Sequence, residues 1–388
     1  MLGQVEGFLQ AHWGDFGLGE PPPPTALRLA VVNGGMGVHN KMVCPCWKGN
    51  DQLPCLVVKF PRYPRYNYRV LTEHQALERV WGFLRSVPDA ERVPRPLACT
   101  EIDGLCVTVE TAWRGRSLLS HLRESGEGHD AQLRKLRPLA EWLTRLHIYS
   151  SSLATQQQIR ELIFEPLESV GEELNLSQHE RAVVAHLRDV AERLAASTPL
   201  PIVFNHDDLN VMNVLVDELG ELACVIDWDA GSFGLPATDL LYFLMRFAYE
   251  VMPGRSKDPL QSYRELFFAT DPARVEAQHA VPIQPLRRIA VQWMRDYCRQ
   301  VELSWDWLPI LFPLVWIQHA RNEKYLLGLH AKGQMLYGIS AQVAPGATPG
   351  ESQEATSEQG RFRARLGFYL NNIDDFALAS REALEAAP

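Results

Sequence analysis

The chain predicts an α+β protein in two lobes: a small β-rich N-terminal lobe (1–111) and a large, mainly helical lobe (112–388). Three observations predict this. Up to Thr111 the apolar residues fall in short, β-branched runs around one helical stretch. From Ser117 onward a helical period dominates. Between Pro199 and Pro236 that period gives way to short apolar runs and a crowd of Asp and Asn residues. At 388 residues the chain is long enough to bury cores of this size.

In order, Leu27–Val32 reads as a strand, followed by a turn at Asn33–Gly34–Gly35–Met36–Gly37 and strands at Met42–Trp47 and Cys55–Phe60. The spacing predicts a helix from about Val70 to Leu84, with Leu71, His74, Leu77, Val80, Trp81 and Leu84 on one stripe. Leu97–Glu101 and Leu105–Glu110 form a hairpin turning at Asp103–Gly104. Val109–Glu110–Thr111–Ala112 closes the small lobe. In the large lobe a helix over Leu139–Leu146 ends at His147, which reads as a C-terminal or packing histidine. Pro201–Phe204 leads into the acidic segment, and strands at Asn213–Val216 and Ala223–Ile226 are joined by a turn at Asp217–Gly220. Pro21–Pro24 is a stiff connector. Ala344–Gly360, rich in Pro, Gly, Ser, Thr and Glu, is expected as a mobile loop before the apolar pattern resumes at Phe362–Phe376.

Composition narrows the class. With 46% hydrophobic and 22% charged residues the chain is an ordinary globular protein. Its 38 basic against 47 acidic residues, a net charge of −9, argue against a nucleic-acid partner, whose footprint would be basic. The same balance is compatible with a cationic one. Seven scattered cysteines (Cys44, Cys46, Cys55, Cys99, Cys106, Cys224 and Cys298) are read as buried free thiols of a reducing, cytoplasmic setting. No apolar run is long enough for a bilayer, since Pro309 and Pro313 interrupt the best candidate, Leu308–Ile317. No signal peptide is visible and no membrane partner is expected.

The informative segment is His206–Asp207–Asp208–Leu209–Asn210–Val211–Met212–Asn213, followed by Val225–Ile226–Asp227–Trp228. It has the H-x-D-L-x-x-x-N spacing of a phosphoryl-transfer loop, with a metal-binding turn after it. That chemistry needs a carboxylate to accept the proton of the attacking hydroxyl, and an amide and a second carboxylate to hold Mg²⁺ against nucleotide phosphates. Asp208 suits the first role; Asn213 and Asp227 suit the second. Acids and Asn also crowd ordinary turns, where they bond their own backbone. The flanking strands are what set this octet apart. His206 is read as a support for the loop through hydrogen bonds.

Upstream, Lys59 is a lone cation in the apolar run Leu56–Val57–Val58–Lys59–Phe60, a place where burial demands a partner. Held by a glutamate on the next helix, such a lysine grips nucleotide phosphates. Glu73 is the candidate partner, ahead of Glu78 on another face; an edge lysine pointing to water is the plain alternative. Gly34, Gly35 and Gly37 would let backbone N–H groups approach those phosphates, although an ordinary β-turn has the same residues. Backbone groups of Glu110 and Ala112 would meet the base of ATP or GTP, in a cleft between the lobes.

These residues resemble the aminoglycoside phosphotransferase family, which includes choline-kinase-like enzymes of the protein-kinase-like fold. That family carries H-G-D-x-x-x-x-N and then I-D-W-[ED]-x-x-x-x-G-x-P-x-x-D-[LI]. Here the second motif reads Ile226–Asp227–Trp228–Asp229–Ala230–Gly231–Ser232–Phe233–Gly234–Leu235–Pro236–Ala237–Thr238–Asp239–Leu240. The segment Glu141–His147 is similar to the family's helix ending in L-H. The resemblance implies a bilobal kinase-like fold, Asp208 as the catalytic residue, Asn213 and Asp227 as metal ligands, and Asp239 as a brace for the loop. Asp207 stands where the family has glycine. Its charge could raise the pKa of Asp208, meet a cationic acceptor, or simply cap its own turn. Asp207 and Asp229 are therefore the candidate substrate residues.

Asp227 and Pro236 lie too close in sequence for a long phosphorylatable loop, which favours a small-molecule acceptor over a protein. Trp293, Tyr297, Trp305, Trp307 and Trp316 could hold a quaternary ammonium, though aromatic residues at helical spacing also fill cores. A rival reading is a nucleotide-binding pseudokinase that catalyses nothing.

Overall fold

Strand side chains alternate between two faces, and the first sheet uses that alternation to separate apolar from charged residues. The computed structural model describes residues 1–20, 26–33, 40–173, 176–251, 284–315 and 317. A helix, α1 (Leu2–His12), precedes β1 (Leu27–Leu29), β2 (Val32–Asn33), β3 (Lys41–Lys48) and β4 (Leu56–Pro61). Helix α2 (Asn67–Leu84) then leads to β5 (Pro96–Ile102) and β6 (Leu105–Thr111). The strands lie in the order β1-β3-β4-β6-β5, with β2 beside β3, and every pairing is antiparallel.

On one face Cys44, Cys46, Leu56, Val58, Phe60, Val107 and Val109 form a core with Val5, Leu9, Trp13 and Phe16 of the N-terminal helical segment. The register sets Val43 opposite Lys59, Lys59 opposite Thr108 and Val57 opposite Glu110. Lys41, Lys59 and Glu110 therefore share the other face, which α2 covers. The β5–β6 hairpin turns through Asp103 and Gly104, both at positive φ (52° and 77°), as a tight hairpin requires.

Helix α2 buries Val70, Glu73, His74, Ala76, Leu77, Val80 and Leu84. Leu71, expected on the buried stripe, is 39% exposed. The stripe is rotated toward Val70 and Glu73, because the helix turns a carboxylate inward to meet the lysine of β4. Of the cysteines, Cys44, Cys46, Cys224 and Cys298 are buried, Cys55 and Cys106 are half-buried, and Cys99 is exposed, contrary to a uniformly buried set. Cys99 lies on the edge strand β5, opposite Thr108.

The chain divides into two compact units. The first comprises Met1–His121 and Met212–Ser232; the second comprises Leu122–Val211 and the described residues from Phe233 onward. The expected lobe boundary at about Thr111 thus lies inside the first unit. A three-stranded sheet accounts for the arrangement: β7 (Arg116–Ser117) pairs with Val214–Val216, which pairs with Leu222–Val225. Gly115 leads into β7 at φ 98°.

The second unit is mainly helical, and the α+β organisation is the one expected. A small sheet places Pro201–Asn205 between Ser152–Leu153 and Ser232–Gly234. The helix Gln178–Ser197 opens on a capping box between Ser177 and Glu180. Helix Thr238–Val251 buries most of its length, and Gln284–Gln300 packs on Arg137–Ser150. Trp293, Tyr297 and Trp307 are core residues here. None of the described helices is long and apolar enough to cross a membrane. Pro21–Pro24, Gly34, Gly35, Gly37, Trp316, Ala344–Gly360 and Phe362–Phe376 lie outside the described residues.

A Cβ at Gly115 would stand 2.5 Å from the Val216 carbonyl oxygen, whereas one at Gly104 meets nothing within 4 Å. Both glycines have positive φ, so substitution at either carries conformational strain and only Gly115 adds a clash. Gly115→Ala is expected to lower unfolding free energy by about 2–4 kcal/mol, and Gly104→Ala by about 1 kcal/mol. Denaturant unfolding of both variants checks the difference.

Candidate active site

The charged face of the first sheet carries the densest polar cluster of the first unit. Lys59 Nζ lies 2.7 Å from Glu73 Oε1 and 2.7 Å from Glu110 Oε1, and all three side chains are buried. Glu73 Oε2 accepts a second bond, at 2.6 Å, from Lys41 Nζ. Lys41 Nζ also donates to Asp227 Oδ1 at 2.6 Å and stands 3.8 Å from Asp229 Oδ2. Arg69 closes the cluster by bonding Asp229 Oδ2. The partner of Lys59 is thus Glu73; Glu78 instead faces His74 at 3.5 Å, largely in water.

Burial and pairing pull these groups in opposite directions. Burial depresses both lysines, yet Asp227 and Glu73 hold Lys41 well above the usual lysine range, and Glu110 with Glu73 raises Lys59. Burial favours the neutral form of Glu73, and the two lysines outweigh it, so its carboxyl is lowered. Glu110 goes the other way. Burial, helped by the charge of Glu73, outweighs Lys59 and pushes it up to about 7. Asp229 is raised by burial, with Asp227 and Glu73 reinforcing it against Lys41 and Arg69.

The strands Val214–Val216 and Leu222–Val225 deliver Asn213 and Asp227. Val214 lies opposite Val225, and the ladder continues outward as the Ile226 N–H donates to the Asn213 carbonyl at 2.9 Å. Asn213 and Asp227 therefore leave the same end of the hairpin. Asp227 has φ 69°, and the Trp228 indole N–H donates to the Val225 carbonyl at 3.1 Å, which pins the turn. An amide and a carboxylate are hard oxygen donors suited to Mg²⁺, which binds through few protein ligands and keeps water or phosphate for the rest. No group of three or more His, Cys, Asp or Glu that could hold a metal ion is found among the described residues.

In the second unit the loop after Pro201–Asn205 hangs on one buried carboxylate. Asp239 accepts the N–H of His206 at 2.6 Å and that of Asp207 at 2.9 Å, so it braces the loop. Its pKa is lowered: burial opposes ionisation, but His147, His206 and the backbone bond outweigh it. Tyr297, named in the sequence only as a candidate aromatic contact for an ammonium, packs its hydroxyl against His147. That hydroxyl accepts the Ala237 N–H at 2.9 Å and is hydrogen-bonded to His147 Nδ1 at 2.6 Å. His147 Nε2 lies 3.6 Å from Asp239 Oδ2. His147 is thus part of a polar network as well as of the core.

The His206 ring accepts the Asp208 N–H at 3.3 Å, and the Asn210 amide donates to Asp208 Oδ1 at 3.0 Å. Both hold the candidate base. Asp207 is buried with φ 62°, a left-handed conformation that glycine adopts freely and Asp tolerates.

Two expectations change in detail. Glu110, expected for its backbone, contributes a buried side chain to the Lys59 cluster. The Ala112 N–H donates to the Cys55 carbonyl at 3.1 Å and is engaged within the first unit. Lys41 is the member of this cluster that the sequence reading missed. It opens a strand just beyond the glycine turn, and only the β3–β4 register puts it on the face of Lys59.

Residues 46–277, more than half of the chain, match the model of the phosphotransferase enzyme family. The chain belongs to that family. No curated protein matches it. Among solved structures, the aminoglycoside phosphotransferase APH(3″)-Id of Streptomyces rimosus is 18% identical, with 74% of this chain and 98% of that one covered at a TM-score of 0.39. Plasmodium vivax ethanolamine kinase is 15% identical, with 79% and 89% covered at 0.38. ADP-bound APH(2″)-Ib is 15% identical, with 74% and 94% covered at 0.37. The family assignment rests on the sequence match. The protein is accordingly a phosphotransferase enzyme.

In this phosphotransferase Glu110 leaves a signature on stability. Its folded pKa of about 7 exceeds the usual glutamate value of about 4.3. Between those values the folded state holds a proton that the unfolded state has lost, so stability falls as pH rises through this window. Glu110→Gln is expected to remove that decline, worth up to about 1.4 kcal/mol per pH unit. Urea unfolding of both proteins between pH 4.5 and 7.5 measures it.

Proposed function

We propose that this phosphotransferase is a Mg²⁺-dependent kinase that transfers the γ-phosphoryl group of ATP or GTP to a hydroxyl of a small acceptor. The buried ion pair of Lys59 with Glu73 carries the reading, because a lysine held on a sheet face by a helical glutamate is the phosphate grip such chemistry uses. Asn213 and Asp227 would hold Mg²⁺, which neutralises charge developing on the phosphates. Gly34, Gly35 and Gly37 would supply N–H groups to the same phosphates. Asp208, oriented through His206 and Asn210, would take the proton of the attacking hydroxyl. The acceptor oxygen forms its bond to the γ-phosphorus as the bond to the nucleoside diphosphate breaks.

The short distance in sequence from Asp227 to Pro236 supports a small molecule over a protein. The net charge of −9 and the carboxylate of Asp207 beside the base support a cationic one: an aminoglycoside, a choline-like amino alcohol or a basic natural product. Asp229 is less suited, since Arg69 and Lys41 already engage it. Antibiotic resistance is one use of such an activity, in a cytoplasmic setting that supplies the nucleotide. Screening aminoglycosides, amino alcohols, macrolides and sugars for acceptor-stimulated release of ADP or GDP tests the reading. A pseudokinase would bind nucleotide and release none with any of them.

Asp208→Asn is expected to lower kcat by on the order of 10²–10⁴-fold with nucleotide affinity changed only a few fold, since a base acts on the hydroxyl. Near-normal turnover would remove Asp208 from the mechanism. Asp207→Gly, which suits the local backbone, should raise acceptor KM by roughly tenfold to a hundredfold if its charge meets a cationic acceptor. An unchanged KM would leave Asp207 a purely structural role.

A further inference from the structure

Lys41 has no part in the function proposed above, yet its ammonium sits on the carboxylate assigned to the metal. We infer that Lys41 is a resident counter-cation of Asp227, so that metal loading is an exchange of this ammonium for Mg²⁺. The inference rests on Asp227 being a metal ligand.

The geometry argues for exchange over coexistence. Lys41 Nζ is 2.6 Å from Asp227 Oδ1, in the first shell of that oxygen, and its side chain is only 13% exposed. A divalent ion on the same oxygen would stand at about 2.1 Å. The Asp227 side chain is 39% exposed, yet two cations packed so closely still repel. The other acids of the cluster have cations of their own. Glu73 Oε1 and Glu110 face Lys59, and Asp229 bonds Arg69. Lys41 stands 2.6 Å from both Asp227 Oδ1 and Glu73 Oε2. The lysine also has somewhere to remain, because Glu73 Oε2 holds it at 2.6 Å from the other side. Its backbone is fixed as the first residue of β3, opposite Pro61. The ammonium can thus release Asp227 without leaving the cluster. Free protein would bind the metal weakly, and nucleotide phosphates would favour the exchange by giving the released ammonium an anionic neighbour.

Mn²⁺ binding to the nucleotide-free protein, followed by electron paramagnetic resonance, tests this without any turnover. Lys41→Met should bind Mn²⁺ at least about tenfold more tightly than wild type, Lys41→Arg about as weakly as wild type, and Lys41→Met with Asp227→Asn should lose the gain. Amine acetylation of the wild-type chain, read by mass spectrometry, gives a second measure should Lys41→Met fail to fold. Saturating Mg²⁺ should speed modification of Lys41, and Asp227→Asn should make it fast with or without metal. Lys41→Met binding no tighter than wild type, or acetylation indifferent to Mg²⁺, overturns the exchange. If Asp227→Asn binds Mn²⁺ as the parent does, the metal assignment itself fails.

Discussion

The carboxylate of Glu73, bonded by Lys59 at one oxygen and by Lys41 at the other, is the constraint around which the first unit is organised. Neither lysine is exposed, and a buried ammonium without a partner is among the costlier defects a fold can carry. Breaking such a pair by removing one partner typically costs about 3–5 kcal/mol, because the remaining charge stays buried. The pairing therefore dictates geometry more than it adds stability. Helix α2 must present Glu73 inward even though this turns Leu71 to solvent. The β3–β4 register must keep Lys41 and Lys59 on one side of the sheet. A one-residue slip would drive Lys59 into the face occupied by Cys44, Cys46 and Val58. Apolar packing below the sheet and ion pairing above it thus select the same register.

The second unit solves a related problem with one acid. Asp239 faces two backbone N–H groups of the loop and two histidines, and its lowered pKa shows that these donors outweigh the cost of burying it. Tyr297 meets His147 from the other side, through a hydroxyl that also accepts the Ala237 N–H. The candidate base is thus positioned by a chain of bonds that runs back through His206, Asp239, His147 and Tyr297. Positioning of this kind is what a phosphoryl transferase needs, since its catalysis comes mostly from placement and electrostatics.

Local sequence showed the elements whose signals are local. The apolar run Leu56–Val57–Val58–Lys59–Phe60 announced a buried strand with a cation needing a partner. The helical period over Val70–Leu84 allowed Glu73 to be chosen over Glu78. The hairpin after Asn213 and the brace at Asp239 were also legible, the latter through family resemblance. Lys41, His147 and Tyr297 were not, for a common reason. The role of Lys41 depends on strand register, and those of His147 and Tyr297 on a contact between residues 150 apart in the chain. No window of sequence contains such information. The exposure of Cys99 was missed because an edge strand and an inner strand look alike in composition.

Asp207 shows how a departure from a family pattern can be structural before it is chemical. The loop adopts positive φ at Asp207, and the turns that follow do so again at Asp227 and Ala237 (62°, 69° and 64°). A glycine at the first of these positions is explained by backbone freedom alone. An aspartate can replace it because its short polar side chain is among the few that tolerate the left-handed region, at a cost of about 1–2 kcal/mol relative to glycine. That cost is bearable where Asp239 already clamps the N–H groups of His206 and Asp207. The negative charge at position 207 is then an addition to a geometry the fold imposes anyway. Sequence pattern alone left both a chemical and a turn-capping meaning open; the dihedral angle puts the backbone requirement first, and any role in recognising an acceptor has to be built within it.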